Sequence, residues 1–142
     1  MTIVRIINEL PIGIETLAAS AEAEGVRNLS LLISGWVAGQ RFDAEGEALF
    51  AAFADRALVG VGGVTPCSNL TGAERVRRFY VAPDHRRSGV GRALAVAAMH
   101  EGLQHARILT CNARATAAAT PFWESMGFRP VSTPGITHLF EA

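Results

Sequence analysis

Arg86-Arg87-Ser88-Gly89-Val90-Gly91-Arg92-Ala93 lies where a β-rich run, Val76 to Val81, hands over to a helical one, Ala93 to Ala106. Its two glycines let the backbone turn tightly and come close to a ligand. The helix that follows aims its free N–H groups, and the positive end of its dipole, back into that turn. Three arginines crowd the same point, although a cation at a helix N-terminus is unfavourable by a few tenths to ~1 kcal/mol. Asp84 offsets only part of that charge. A polyanion in the turn, most simply a pyrophosphate, resolves the conflict.

The rest of the composition frames this local feature. A chain of 142 residues with 49% hydrophobic and 18% charged content reads as one globular domain, residues 1–142, large enough for a real core. Formal net charge is zero, yet six of the thirteen basic residues (Arg75, Arg77, Arg78, Arg86, Arg87 and Arg92) fall in one short stretch. Only Glu74 and Asp84 oppose them there. A compact anion suits that pattern better than a nucleic-acid backbone, which needs an extended basic surface, so no nucleic-acid partner is expected. Every basic residue is Arg, which excludes a Schiff-base or P-loop lysine. Cys67 and Cys111 are isolated from each other and from any His at metal spacing. They read as free thiols in a reducing compartment, and no metal is expected. Ala57 to Pro66, the longest uncharged apolar stretch, is too short to span a bilayer. Arg5, Asn8 and Glu9 interrupt any signal-like run at the N-terminus. A cytoplasmic protein without membrane partners is the default expectation.

Periodicity then orders the chain. Ile3 to Ile7 reads as an opening strand. Ile14, Leu17, Ala18 and Ala21 recur at helical spacing until Gly25, and Val26, Leu29, Ile33, Trp36 and Val37 mark a second helix ending near Gly39. Ala48–Ala54 and Ala57–Val64 form a predicted hairpin through a tight Asp55-Arg56 turn, followed by a loop, Pro66 to Gly72. Arg75 to Val81 is a strand with a broken alternation: Val76 and Phe79 should face opposite sides, and a β-bulge near Arg77-Arg78 would bring them to one face. A loop over Asp84–Ser88 leads into a helix from Gly89 to about His105. A strand follows at Arg107–Asn112, and then a helix-like segment at Ala115–Met126. Pro121 implies a kink or a fresh start at Thr120, and Gly127 is the expected cap. Phe128–Val131 and Ile136–Phe140 close the chain as strands.

Two glycine motifs are excluded. A Walker loop requires a Lys followed by Ser or Thr. The dinucleotide fingerprint requires a third glycine at position 94, which is Leu. Gly60-Val61-Gly62-Gly63 lies within a strand with no helix after it, so those glycines read as structural. The stretch Val76 to Leu94, however, resembles the GNAT N-acetyltransferase family, whose cofactor motif Gln/Arg-x-x-Gly-x-Gly/Ala is met by Arg86, Gly89 and Gly91. A second family signature, a late helix ending in Phe-Tyr-x-x-x-Gly-Phe, is similar to Phe122-Trp123-Glu124-Ser125-Met126-Gly127-Phe128. Element order agrees along nearly the whole chain.

The resemblance implies an α/β (α+β) fold with a mixed, mostly antiparallel twisted sheet, flanking helices and splayed central strands. It implies an acetyl-CoA-dependent N-acetyltransferase, in which a primary amine attacks the thioester directly in a ternary complex. Acetyl-CoA would lie along Phe79, Tyr80 and Val81, with its pyrophosphate on Arg86, Arg87, Ser88, Gly89, Val90, Gly91, Arg92 and Ala93. Asn112, Thr116, Phe122 and Trp123 would contact its arm. The Val81 N–H would polarise the thioester carbonyl, an oxyanion-hole role. Trp123 stands where much of the family has a tyrosine acid, and indole has no usable proton. Tyr80 and Ser125 are the substitute donors. Glu74, then Glu47 and His138, are the candidate bases, although each also reads as an ordinary surface residue. The acceptor, expected to be a small-molecule amine, would meet the two N-terminal helices and the closing strands, where no charged cluster marks its chemistry. Family members often pair, so a homodimer is an expectation. The alternative reading is a non-catalytic acyl-CoA-binding module.

Overall fold

The computed structural model describes all residues, Met1 to Ala142. Seven strands and four helices follow one another as β1 (Thr2–Arg5), α1 (Ile14–Ala23), α2 (Asn28–Val37), β2 (Ala48–Ala54), β3 (Ala57–Pro66), β4 (Ala73–Val81), α3 (Val90–Gly102), β5 (Ile108–Cys111), α4 (Ala119–Ser125), β6 (Arg129–Thr133) and β7 (Ile136–Glu141). A single 3-10 turn, Pro83–His85, separates β4 from α3. One sheet holds all the strands in the order β1-β2-β3-β4-β5-β7-β6. Every pairing is antiparallel except β4 with β5.

The β2–β3 hairpin closes through Asp55 (φ 49°) and Arg56 (φ 67°). Two successive left-handed residues make the turn whose twist matches the flanking strands. The bulge predicted in β4 is present. Val61 pairs with Tyr80 but Gly63 pairs with Arg77, so Gly62 faces both Arg78 and Phe79. Arg78 takes the strain at φ 62°. Val76 and Phe79 then join the same apolar cluster, whereas Tyr80 joins the cluster on the other face.

Those two clusters are the core. On one face α1 and α2 lay Leu17, Ala21, Leu29 and Leu32 against Leu49, Ala51, Val61 and Tyr80. On the other, α3 and α4 lay Ala95, Ala98, Met99 and Trp123 against Val64, Val76, Leu109 and Phe128. Close packing there explains Gly62, because a Cβ on it would sit 2.5 Å from Phe79 Cε2. The glycine run in β3 is thus set by packing.

Element ends differ from the periodicity in physical ways. β1 spans Thr2–Arg5, not Ile3–Ile7; its register with β2 runs from Thr2–Phe53 to Arg5–Phe50, and a last bond joins the Ile6 N–H to Leu49 C=O at 2.8 Å. Val26 is buried ahead of α2, which starts at Asn28, and Val37 is exposed. The helix expected from Ala115 begins at Ala119. Pro121 therefore falls in its first turn, where a missing N–H costs nothing. Gly127 (φ 98°) caps it, with the Phe128 N–H donating to Trp123 C=O at 3.1 Å. No helix is long and apolar enough to cross a membrane.

Candidate active site

β4 and β5 pair only through Ala73–Ile108, Glu74–Leu109 and Arg75–Thr110. β4 then runs on to Val81 while β5 ends at Cys111. The two strands part, and the sheet opens into a gap of about 740 Å³ lined by residues of β4, the start of α3, α4 and the segment that precedes α4.

The β4 edge of this gap is defined by hydrogen bonds on its other side. The Ala82 N–H donates to Val59 C=O at 2.8 Å. By strand alternation the backbone groups of Val81 face away from β3 and into the gap. Two carbonyls on that edge are touched by side chains: Asn28 Nδ2 donates to Phe79 C=O and Arg86 Nε to Val81 C=O, both at 3.0 Å. Each carbonyl keeps a second lone pair, so an extended amide-bearing chain can still pair there.

The edge leads to the Gly89 turn. Gly89, at φ 88°, is the cap of α3 and has no side chain to bond the first turn. None of the N–H groups from Arg87 to Arg92 meets an acceptor within the protein, and the first amide bonded is that of Ala93, to Gly89 C=O at 3.0 Å. Successive free amides around left-handed Arg87 and Gly89, at the positive end of a helix, make an anion nest. An added Cβ at Gly89 would meet nothing of the protein, so its glycine is required by φ and not by packing.

The expected cofactor residues separate into three groups. Phe79, Tyr80, Val81, Arg86, Arg87, Gly89, Gly91, Arg92, Asn112, Thr116, Phe122 and Trp123 all line the gap. Ser88 and Val90 do not line it: the Ser88 hydroxyl donates to His85 C=O at 2.6 Å, and Val90 is buried with Val59 and Leu94. Their free amides remain available. Ala93 stands apart: it is off the gap and its N–H is bonded to Gly89 C=O.

Arg86 differs from the picture of three equivalent arginines. Its guanidinium grips Glu24 of α1 at 2.8 and 2.6 Å and stacks over the Tyr80 ring at 5.3 Å. Glu24 also accepts from the Tyr80 hydroxyl, which lies 3.0 Å from Ser20 Oγ. The Arg86 contact, followed by that of Tyr80, holds the Glu24 carboxyl down at about 2. Glu24 is therefore a strut and a poor base. Burial and the bond to Glu24 raise the Tyr80 hydroxyl, which makes it a reluctant donor too.

Trp123 is only 5% exposed. Its ring meets Phe79, Phe122 and Phe128 edge-on at centroid distances of 4.8, 4.9 and 5.1 Å. It packs the floor of the gap. Ser125 lines the gap, but its hydroxyl donates to Phe122 C=O at 2.6 Å.

The candidate bases lie elsewhere. Glu74 is buried, not a surface residue, and does not line the gap. It sits under the end of α3, where a Cβ on Gly102 would come within 3.5 Å of it. Burial pushes its carboxyl up to about 7, and Oε1 has no partner. His138 is also buried, held between Glu124 Oε2 and Thr137 Oγ1 at 2.8 Å each. Glu47 lines a neighbouring cavity with Asp43 and Arg41. Cys111 lines the gap as a buried thiol pushed up to about 12 by desolvation, so it offers no nucleophile. Sequence reasoning missed Asn28, Glu24 and the gap-lining role of Arg75, Arg77 and Arg78. The arginines were visible as a cluster; nothing local marked the other two.

Comparison with known proteins bears on this geometry. Residues 17–139 match the family model described as an acetyltransferase (GNAT) domain. No curated protein sequence matches the chain. Among solved structures, the chain is similar to an assigned acetyltransferase from Exiguobacterium sp. 255-15, with 28% identity, a TM-score of 0.89, and coverage of 99% of this chain and 92% of that one. The PaiA N-acetyltransferase of Thermoplasma acidophilum, solved with coenzyme A, shares the fold at 19% identity and a TM-score of 0.70, with all of both chains covered. A GNAT acetyltransferase from Elizabethkingia anophelis, solved with acetyl-CoA bound, does so at 15% identity and a TM-score of 0.66, over 99% of this chain and 97% of that one.

Proposed function

The chain belongs to the GNAT acetyltransferases, and from that premise we propose that it moves the acetyl group of acetyl-CoA to the amino group of a small molecule. The observation that carries the reading is the continuous path from the free Val81 edge of β4 to the unpaired amides of Arg87–Arg92. A pantetheine arm would extend the sheet along Phe79 and Val81, and the pyrophosphate would sit in the nest before α3. The Val81 N–H would bond the thioester oxygen as charge develops on it.

In the reaction the neutral amine attacks the thioester carbon, a C–N bond forms, and the C–S bond breaks with CoA leaving as thiolate. The proton shed by the new ammonium passes to water. A thiol with an ordinary value near ~8.5 leaves without an obligatory acid. That fits a site whose tyrosine position holds Trp123. General acid assistance is worth about 10²–10⁴-fold where present, so a modest turnover is expected.

The test is thiol release from acetyl-CoA with a panel of amines, beside a direct measurement of CoA binding. Amine-dependent release supports the transferase. Because Trp123 offers no proton, a non-catalytic acyl-CoA-binding module is the second reading, and tight CoA binding with no release on any amine would favour it. Failure to bind CoA would overturn both.

A further inference from the structure

All six arginines of the basic stretch line one gap, against a single carboxylate, Glu24. They do not share one environment. Arg87 and Arg92 flank the free amides of α3, and Arg86 is paired with Glu24. Arg75 and Arg77 lie upstream of the bulge and Arg78 within it, past the Phe79–Val81 edge. Arg75 and Arg77 alternate with Val76, whose side chain packs toward α3 and α4. They therefore project from the opposite face of the sheet, the α2 side, away from the phosphate nest. Arg77 and Arg78 also line the adjoining cavity with Gln40 and Phe42 of the segment after α2.

None of these three guanidinium groups is ion-paired within the protein, and Glu47 offsets the Arg77 charge only from a distance. No carboxylate lies within salt-bridge distance of any of them. Asp43 and Glu47 line the adjoining cavity without touching them. Nε of both Arg75 and Arg77 is buried without an acceptor, and Arg77 Nη1 reaches only Thr65 Oγ1, at 3.4 Å. Burial, with Arg78 and then Arg75, brings Arg77 down to about 10, so it stays charged at neutral pH. Like charges gathered on a half-buried strand repel, and buried donors without acceptors are unfavourable. A bound anion removes both penalties. The neutral pantetheine arm supplies none, and the cofactor's pyrophosphate belongs to the other end of the gap.

We propose that Arg75, Arg77 and Arg78 form an anion subsite for the acceptor, which is an amine that also carries a carboxylate or a phosphate. The guanidinium forks hold the anionic group, and the amino group points back along the Phe79–Val81 edge toward the thioester. The inference rests on the acetyl-transfer reading above, and it differs from the expectation that no charged cluster marks the acceptor.

The experiment uses the CoA-loaded protein and a panel of aminocarboxylates and aminophosphates, each beside a counterpart that lacks the anionic group, such as β-alanine beside propylamine and phosphoethanolamine beside ethanolamine. Thermal shift reads binding, and thiol release from acetyl-CoA reads transfer. Anionic members are expected to bind and react at least about tenfold better than their partners. The better arm tells carboxylate from phosphate. Arg77→Gln should remove most of that preference, a loss of about tenfold or more, while CoA affinity is retained. Retained CoA affinity also reports that the variant is folded, and Arg75→Gln serves if Arg77→Gln does not fold. Equal behaviour of amines with and without the anionic group overturns the subsite. Loss of CoA affinity in both variants overturns it too, by assigning the arginines to the cofactor. If no amine is acetylated while CoA binds, acetyl transfer fails as a reading; the subsite then stands or falls on the thermal shift, which needs no turnover.

Discussion

Gly62→Ala is the most direct probe of the bulge that builds this site. In an ordinary strand the change should stabilise, because alanine loses about 0.5–1 kcal/mol less backbone entropy than glycine. Here the new methyl would lie 2.5 Å from Phe79 Cε2 and 2.7 Å from both Cδ2 and Cζ. The ring has little room to yield, since it abuts Trp123 edge-on at 4.8 Å and packs against the buried clusters on the α3 face. Overpacking of this kind costs about 1–3 kcal/mol, which exceeds the entropic gain. The net loss should be about 1–2 kcal/mol, or a fall in Tm of roughly 3–8 °C. Urea denaturation of the single variants and of Gly62→Ala/Phe79→Leu would give the coupling between the two positions. Shortening Phe79 removes the clashing atoms, so the double variant should be more stable than the sum of the single losses by about 1 kcal/mol. Additive losses, or a Gly62→Ala protein as stable as the parent, would refute the claim that the ring dictates glycine here.

Three other outcomes follow from the same geometry. Gly89→Val should abolish measurable CoA binding by calorimetry while the protein stays folded, since valine is strained at φ 88° and its side chain would project where the phosphates lie; unchanged affinity would sink the nest assignment. Glu74→Gln should stabilise the protein at high pH: burial raises the folded carboxyl to about 7 from 4.5, so folding is penalised once pH climbs past the unfolded value and fully so above about 7. The gain, on the order of 1–2 kcal/mol at pH 8, should vanish near pH 4, and a pH-independent difference in Tm would contradict it. Trp123→Tyr should lower stability by about 1–3 kcal/mol without raising kcat, because the ring is enclosed by three aromatic neighbours; a rise in kcat would instead show that the site lacks a proton donor.

Features set by neighbouring residues were legible in the sequence. The Asp55-Arg56 turn, the bulge between Val76 and Phe79, and the Gly127 cap each depend on a few consecutive residues, and all three are present. Contacts set by which helix lands on which strand were not. Glu24 meets Arg86 across 62 positions and Asn28 meets Phe79 across 51; neither pair has a local signature. Glu74 read as a surface base because its strand begins beside a polar loop, whereas Gly102 of α3 covers it. Six arginines in one stretch read as one anion site because a linear count carries no information about sheet faces.

The bulge is what makes that last distinction physical. Were β4 regular, Arg75, Arg77, Phe79 and Val81 would share one face, and Val76, Arg78 and Tyr80 the other, since side chains alternate with period two. Charged and aromatic groups would then compete for the same apolar floor under α3 and α4. One extra residue at Arg78 reverses the parity partway along the strand. Phe79 and Val81 now join Val76 against the α3 side, and Arg75 and Arg77 are left facing the α2 side. Where the parity changes, the edge beyond it has already parted from β5. The irregularity thus sets Phe79 and Val81, along the free edge, on the opposite face from Arg75 and Arg77, the face on which the acceptor subsite is proposed. A site that recognises one substrate by backbone and the other by charge can in this way be drawn from a single nine-residue strand.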